Sequence, residues 1–168
     1  MAPEEDEMAS ARRRNVRMVP LVAVLVMGRL LRDEFVRNTV RAAVRRLRAG
    51  DPEPVLGLLA PDVRFRFPGR NSWATDVRGR DEVRLWLRRF VDAGLRLDVD
   101  DILVAGPPWA TRVCVRFTDH CDDESGRLVY LNRGVILAEV SWGRAVRYDV
   151  VVDTEKVAEL DAYLAGRA

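Results

Sequence analysis

A run of alternating apolar and basic residues, Val63-Arg64-Phe65-Arg66-Phe67, does most to constrain this chain. Side chains of a strand point to opposite faces in turn, so alternation marks a strand with one face in a core. The run follows a compact punctuated stretch, GDPEPVLGLLAPD, from Gly50 to Asp62. Gly50 suits the left-handed cap of a preceding helix, Asp51 caps the next one and Pro52 takes its first position. That short helix carries Val55, Leu58 and Leu59, and Pro61 stops it.

Upstream, Leu30 to Ala49 reads as a helix. Leu31, Phe35, Thr39, Ala42, Ala43 and Leu47 recur near three-and-four spacing, with arginines between them. Downstream, PGRNSWATDVRGRD is rich in turn formers and reads as a loop of binding-loop length around Trp73. The indole there either closes over a pocket or covers core. Arg80 to Ala93 is the third helix, with an apolar stripe of Val83, Trp86, Leu87, Phe90 and Val91.

From Leu95 the pattern changes to strands. Leu95 to Val104 alternates, Thr111 to Asp119 alternates through Val113, Val115 and Phe117, and CDDESG is a hairpin turn. Arg127 to Val140 and Ala145 to Val152 are two further strands joined by SWGR, and Asp153 or Thr154 caps a last helix. Helices gathered early and antiparallel strands late define the α+β class.

Several function classes are disfavoured by composition. A net charge of +2 gives no basic excess for nucleic acid. The arginines are spread along the chain and there is a single lysine, Lys156, a bias that fits a GC-rich genome better than phosphate recognition. Cys114 and Cys121 lie on one strand and its exit, roughly 23 Å apart along a straight strand. A disulfide needs Cα atoms within about 7 Å. Two free thiols and a reducing, cytoplasmic compartment are therefore expected. With His120 the only histidine, no zinc-ligand spacing is present, and neither metal nor cofactor is expected.

Residues 1–28 read as an N-terminal extension, without stable structure over Met1 to Asn15, ahead of a domain over 29–168. Met18 to Gly28 is a basic-flanked apolar run like the front of a secretory signal, but Arg29 ends it and no small-residue cleavage site follows. A membrane span needs about 20 apolar residues. The run is read as a packed extension, or as a start placed too early with Met27 as the true one, and no membrane partner is expected.

The order of elements, with RAGDPEPVLGLLAPDVRFRFPG, RGRDEVRLWLRRFVDAG, the WGR turn and YDVVVDTEKVAELDA, resembles the SnoaL-like branch of the nuclear transport factor 2-like superfamily over Leu30 to Ala165. The resemblance implies helices packed in a strongly curved, mostly antiparallel sheet, a cystatin-like cone with an apolar pocket at its open end. It implies pairing into a homodimer through the exposed sheet face. Relatives include polyketide cyclases, steroid isomerases, epoxide hydrolases and noncatalytic binding or dimerisation modules, so the fold leaves function open.

In the cyclase-like pattern the acid lies on the last strand, which here offers Asp149. A carboxyl in an apolar cavity has a raised pKa suited to proton transfer. The alternative is that Asp149 faces solvent or pairs with Arg147 or Arg133. Asp119, at the end of the strand with inward Val113, Val115 and Phe117, is the second candidate, and could equally begin a turn. Phe65, Phe67, Trp73, Trp86 and Phe117 are expected to line the pocket, with Tyr130 and Asn132 orienting a polar ligand atom. The Asp-Arg-Asp set of epoxide hydrolase-like relatives has no counterpart, because Arg133 faces opposite to Asn132. The first-helix tyrosine of the steroid isomerase-like pattern is absent from 30–49. His120 has the parity opposite to Asp119 and is expected on the solvent or dimer face. The expected function is binding of a small apolar molecule with acid–base isomerase, cyclase or hydrolase chemistry, the alternative being a noncatalytic module.

Overall fold

In a computed structural model the backbone is described over residues 4–166 and the side chains over 26–166. Four helices and six strands follow one another as α1 (Glu4–Arg48), α2 (Glu53–Gly57), β1 (Leu59–Phe67), β2 (Thr75–Arg78), α3 (Arg80–Asp92), β3 (Arg96–Ala105), β4 (Thr111–Asp122), β5 (Leu128–Ser141), β6 (Arg144–Val152) and α4 (Thr154–Ala165). The expected start of the first helix at Leu30 is corrected: the backbone is helical from Glu4, through the stretch read as unstructured. Residues 1–3 and the side chains of 1–25 lie outside the described residues.

The chain divides into two compact units, Met1–Val36 and Arg37–Ala168. In the first, Asp33 is held by Arg32 at 2.6 Å and by Arg29 at 3.9 Å. The second contains the last turns of α1 and everything that follows.

Its six strands form one curved, unclosed sheet in the order β2-β1-β6-β5-β4-β3. Every neighbouring pair is antiparallel except β1 with β6. Alternation decides which face is buried. Val63, Phe65 and Phe67 of β1 turn inward, as do Val113, Val115, Phe117 and Asp119 of β4. Against this face lie Ala43 and Leu47 of α1 and Val83, Leu87 and Phe90 of α3, all buried. These α3 residues are spaced four and three apart, one side of a 3.6-residue period.

Pro61 does not end a helix as expected; it lies inside β1. The ladder to β6 pairs Leu59 with Ala145 and resumes only at Arg64 with Arg147, leaving Pro61 in an irregular stretch where its missing N–H breaks no bond. The loop expected after Phe67 contains the short edge strand β2, paired with Arg64 to Phe67. Neither Cys114 nor Cys121 forms a disulfide.

Two backbone details shape the cup. Gly134 of β5 faces inward where a Cβ would come 2.6 Å from Phe117 Cζ, 2.6 Å from Val152 Cγ1 and 2.7 Å from the Val151 carbonyl oxygen. Only glycine lets the strands pass so close there. The β5–β6 hairpin closes with two residues at positive φ, Trp142 (48°) and Gly143 (81°), between the paired Ser141 and Arg144. That is the twist-matched turn in which Asn-Gly is preferred, so an L-residue as bulky as tryptophan costs about 1 kcal/mol at its first central position.

Candidate functional site

The inner faces of β1, β3, β4, β5 and β6 and the helices α1 and α3 line a partly open cavity of about 30 Å³. Its walls are almost wholly apolar and include the rings of Phe67, Trp86, Phe90, Phe117 and Tyr148. One carboxyl reaches it, that of Asp119. Asp119 sits two residues beyond Phe117, so the alternation that buries the aromatic ring buries the acid too.

Three polar side chains are linked beside the cavity. Tyr130 donates its hydroxyl proton to Asp119 Oδ2 at 3.0 Å. Asn132 Nδ2 donates to the Tyr130 hydroxyl at 3.1 Å and to the Asp153 carbonyl oxygen at 2.9 Å. The Arg133 backbone N–H donates to Asn132 Oδ1 at 2.8 Å, which fixes the amide's orientation. Asp119, Tyr130 and Asn132 are 7%, 6% and 2% exposed, so the chain of bonds runs through the interior, where it is well shielded from competing water.

The register explains the alignment. Asn132 is directly opposite Asp119, and Tyr130 is opposite Cys121 two residues on, within diagonal reach. Asp119 Oδ1, the second oxygen, is buried and has no hydrogen-bond partner among the described residues. Burial pushes the Asp119 pKa up to about 6, against the opposing pull of the Tyr130 hydrogen bond. Burial likewise raises the pKa of Tyr130, reinforced by the adjacent Asp119 charge, and burial alone raises that of Tyr148, so both phenols stay protonated at neutral pH. A carboxyl with a raised pKa, one oxygen anchored and one unengaged, is able to accept or donate a proton.

The expectation that Asp149 points inward is corrected. Tyr148 and Val150 face the cavity, and Asp149 lies on the outer face of the sheet. There it takes a 2.7 Å hydrogen bond from Arg147 Nε, the arginine pairing foreseen as the alternative, although Asp149 Oδ1 is itself buried without a partner. The reason is a bulge. Val140 is opposite Ala145 but Glu139 is opposite Arg147, so β6 carries one extra residue, Val146. The extra residue inverts the facing of everything after it.

Of the other expected lining residues, Phe67, Trp86 and Phe117 reach the cavity. Phe65 is fully buried behind it, its ring 5.1 Å from Trp86 and 5.4 Å from Tyr148. Trp73 is core: 2% exposed, edge-on to Trp86 and covered by the Arg89 guanidinium at 4.1 Å. Its carbonyl oxygen accepts from Trp86 Nε1 at 3.0 Å, which holds the cavity-facing indole in place. Tyr130 and Asn132 act on the site through Asp119. Phe90 and Tyr148 are the aromatic lining residues outside the expected set. His120 faces away from Asp119, its Nδ1 3.6 Å from Asp98 Oδ2. Among the described residues no group of three or more His, Cys, Asp or Glu is arranged to hold a metal ion. None of the helices among them is long and apolar enough to cross a membrane.

No curated protein matches the chain. Solved structures do. An NTF2-like protein of unknown function from Burkholderia pseudomallei is 28% identical, with a TM-score of 0.62 over 74% of this chain and 95% of that one. TerC, co-crystallized with polyporic acid, is 22% identical, with a TM-score of 0.62 over 74% and 96% of the two chains. A candidate polyketide cyclase of Xanthomonas campestris is 23% identical, with a TM-score of 0.57 over 76% and 98%. The sequence model of the SnoaL-like domain matches residues 40–148, a stretch from the end of α1 to the cavity-facing Tyr148. That match spans more than half of the sequence, and the chain belongs to the SnoaL-like domain family.

Proposed function

We propose that this SnoaL-like domain binds a small apolar molecule and transfers a proton on it through Asp119. One observation carries the reading: Asp119 Oδ1 is buried at an apolar cavity with nothing bonded to it, while Oδ2 is anchored by Tyr130. Near neutral pH the group is mostly ionised and close enough to its pKa to give the proton back. A carbon acid held against Oδ1 would lose its proton to the carboxylate, the step common to isomerisation and ring-closing condensation. A water held there would instead be activated for hydrolysis. The candidate cyclase of the same fold lends support to the first class, and TerC with its polyporic acid to a small organic ligand.

The cavity's size favours a second reading. About 30 Å³ is room for roughly one water, so a larger substrate needs lining side chains to shift. A noncatalytic module filled by its own aromatic side chains would look the same at rest. Asp119→Asn separates the two. Loss of turnover on an enolisable apolar substrate, with binding retained, supports proton transfer; unchanged turnover, or absence of any ligand that shifts Tm, rejects it.

The domain is proposed to comprise residues 29–168, with 1–28 as an extension. A homodimer through the outer sheet face belongs to the same proposal. Leu103, Leu137 and Val151 are 61%, 48% and 53% exposed there, which a second copy would cover. Light scattering at micromolar concentration should give twice the chain mass; a clean monomer refutes the pairing.

A further inference from the structure

Two tryptophans stand side by side at one end of the sheet, away from the cavity. Trp109 lies in the β3–β4 connection and Trp142 in the β5–β6 turn, with ring centroids 6.1 Å apart and planes at 42°. They are 59% and 74% exposed. Exposed indoles are uncommon because each leaves a large apolar surface in water. Pro107 and Pro108 continue the apolar tip.

The tip is preformed. The Trp142 N–H donates to the Pro108 carbonyl oxygen at 2.9 Å and binds one turn to the other. Ala110 N–H and Thr111 Oγ1 both donate to the Pro107 carbonyl oxygen, at 3.0 and 2.8 Å. Neither indole is needed to make its turn, and Asn would suit the positive φ of position 142 better. The fold therefore holds a strained residue whose side chain serves no contact in the core.

The charge around the tip identifies what would meet it. Gly106 to Arg112 and Ser141 to Arg144 contain two arginines and no carboxylate. The nearest acids, Glu139 opposite Arg112 and Asp149 bonded to Arg147, balance Arg112 and Arg147, so the net positive charge at this end is that of Arg144. A second copy meeting this tip about a two-fold axis would set arginine against arginine. Exposed indoles flanked by Arg112 and by Arg144, whose guanidinium also donates to the Gly57 carbonyl oxygen, match the interface of an anionic bilayer, where tryptophan sits at headgroup depth and arginine meets phosphate.

We propose that the Trp109–Trp142 tip docks the protein on anionic phospholipid surfaces. The contact is peripheral and requires no spanning helix. It is independent of the acid–base reading of the cavity.

The full chain is mixed with phosphatidylcholine vesicles, with and without phosphatidylglycerol, and sedimented. Partitioning should be stronger on the anionic vesicles. It should fall at least about tenfold in the Trp109→Ala/Trp142→Ala variant, since each buried large apolar side chain accounts for roughly a factor of ten. Arg112→Gln should weaken it roughly fivefold. Trp142→Asn, which suits the turn, should keep the Tm while losing binding, so a folding defect cannot mimic the result. Brominated lipid should quench wild-type tryptophan emission, leaving the signal from buried Trp73 and half-buried Trp86. Equal binding by wild type and the double variant would assign any affinity to another segment and overturn the proposal. So would no binding to either vesicle, or self-association without lipid that the double variant abolishes, which would make a second copy the occupant.

Discussion

Replacing Asp119 with asparagine should make the protein more stable at neutral pH. The carboxyl is held in the folded state with a pKa raised from 3.8 to about 6. At about 1.4 kcal/mol for each pH unit, keeping it ionised costs the fold about 3 kcal/mol above pH 6. The sign follows from proton binding. Between pH 3.8 and 6 the folded chain holds the proton more tightly than the unfolded chain does, so stability falls as pH rises through that window. Asparagine carries no charge to desolvate and keeps an oxygen for Tyr130, but its amide would occupy the place of the unpartnered Oδ1. That unpaired donor returns about 1 kcal/mol, leaving a net gain of about 2 kcal/mol at pH 8. Below pH 4 the wild-type carboxyl is protonated and the gain disappears. Urea unfolding of both proteins at several values from pH 4 to 8 reads the difference directly, with the remaining carboxylates cancelling between them. A difference that does not change with pH, or a variant less stable at pH 8, would refute the assignment of Asp119 as a strained internal acid. If the same substitution also removes turnover, stability and activity are opposed at one residue, as expected where a charge is buried for chemistry.

Tyr130→Phe removes the donor to Asp119 Oδ2, so the Asp119 pKa should rise above about 6 and the acidic limb of any pH–rate profile should move to higher pH. Gly134→Ala should destabilise by about 2 kcal/mol, because its methyl would press on Phe117, Val152 and the Val151 carbonyl; thermal unfolding measures this. Asp149→Asn should leave turnover within about twofold of wild type and lower stability by less than about 1 kcal/mol, since it loosens a partly exposed pair on the far face. Abolished turnover in that variant would return the acid–base role to β6.

Most of the architecture was legible because β1, β4 and the first half of β5 alternate cleanly. Val63, Phe65 and Phe67, then Val113 to Asp119, then Tyr130 and Asn132 each declare an inner face. The pairing of Asp119 with Asn132 agrees with those parities, with one extra residue, Val129, taken up next to the CDDESG hairpin. β6 is different. Its valines at 146, 150, 151 and 152 occupy both parities, so its own pattern favours neither face. Counting back from the Ser141–Arg144 turn without a bulge would set Asp149 opposite Ile136, inside the cup. The extra Val146 sets Val150 there instead. A single residue of register thus moved the candidate acid from β6 to β4. Trp73 was ambiguous for another reason: what covers it, Arg89 from α3, is a contact between segments that sequence spacing does not report.

Asn132 bonds two things at once, the Tyr130 hydroxyl and the carbonyl of Asp153. Asp153 is also the cap of α4, its carboxylate accepting from the backbone N–H groups of Glu155 and Lys156. The seating of the final helix and the aim of the internal acid are therefore one mechanical linkage. A shortened or displaced C-terminus would be felt at Asp119 without touching the cavity wall, and a tag or fusion partner placed there would act as an unintended control on the site.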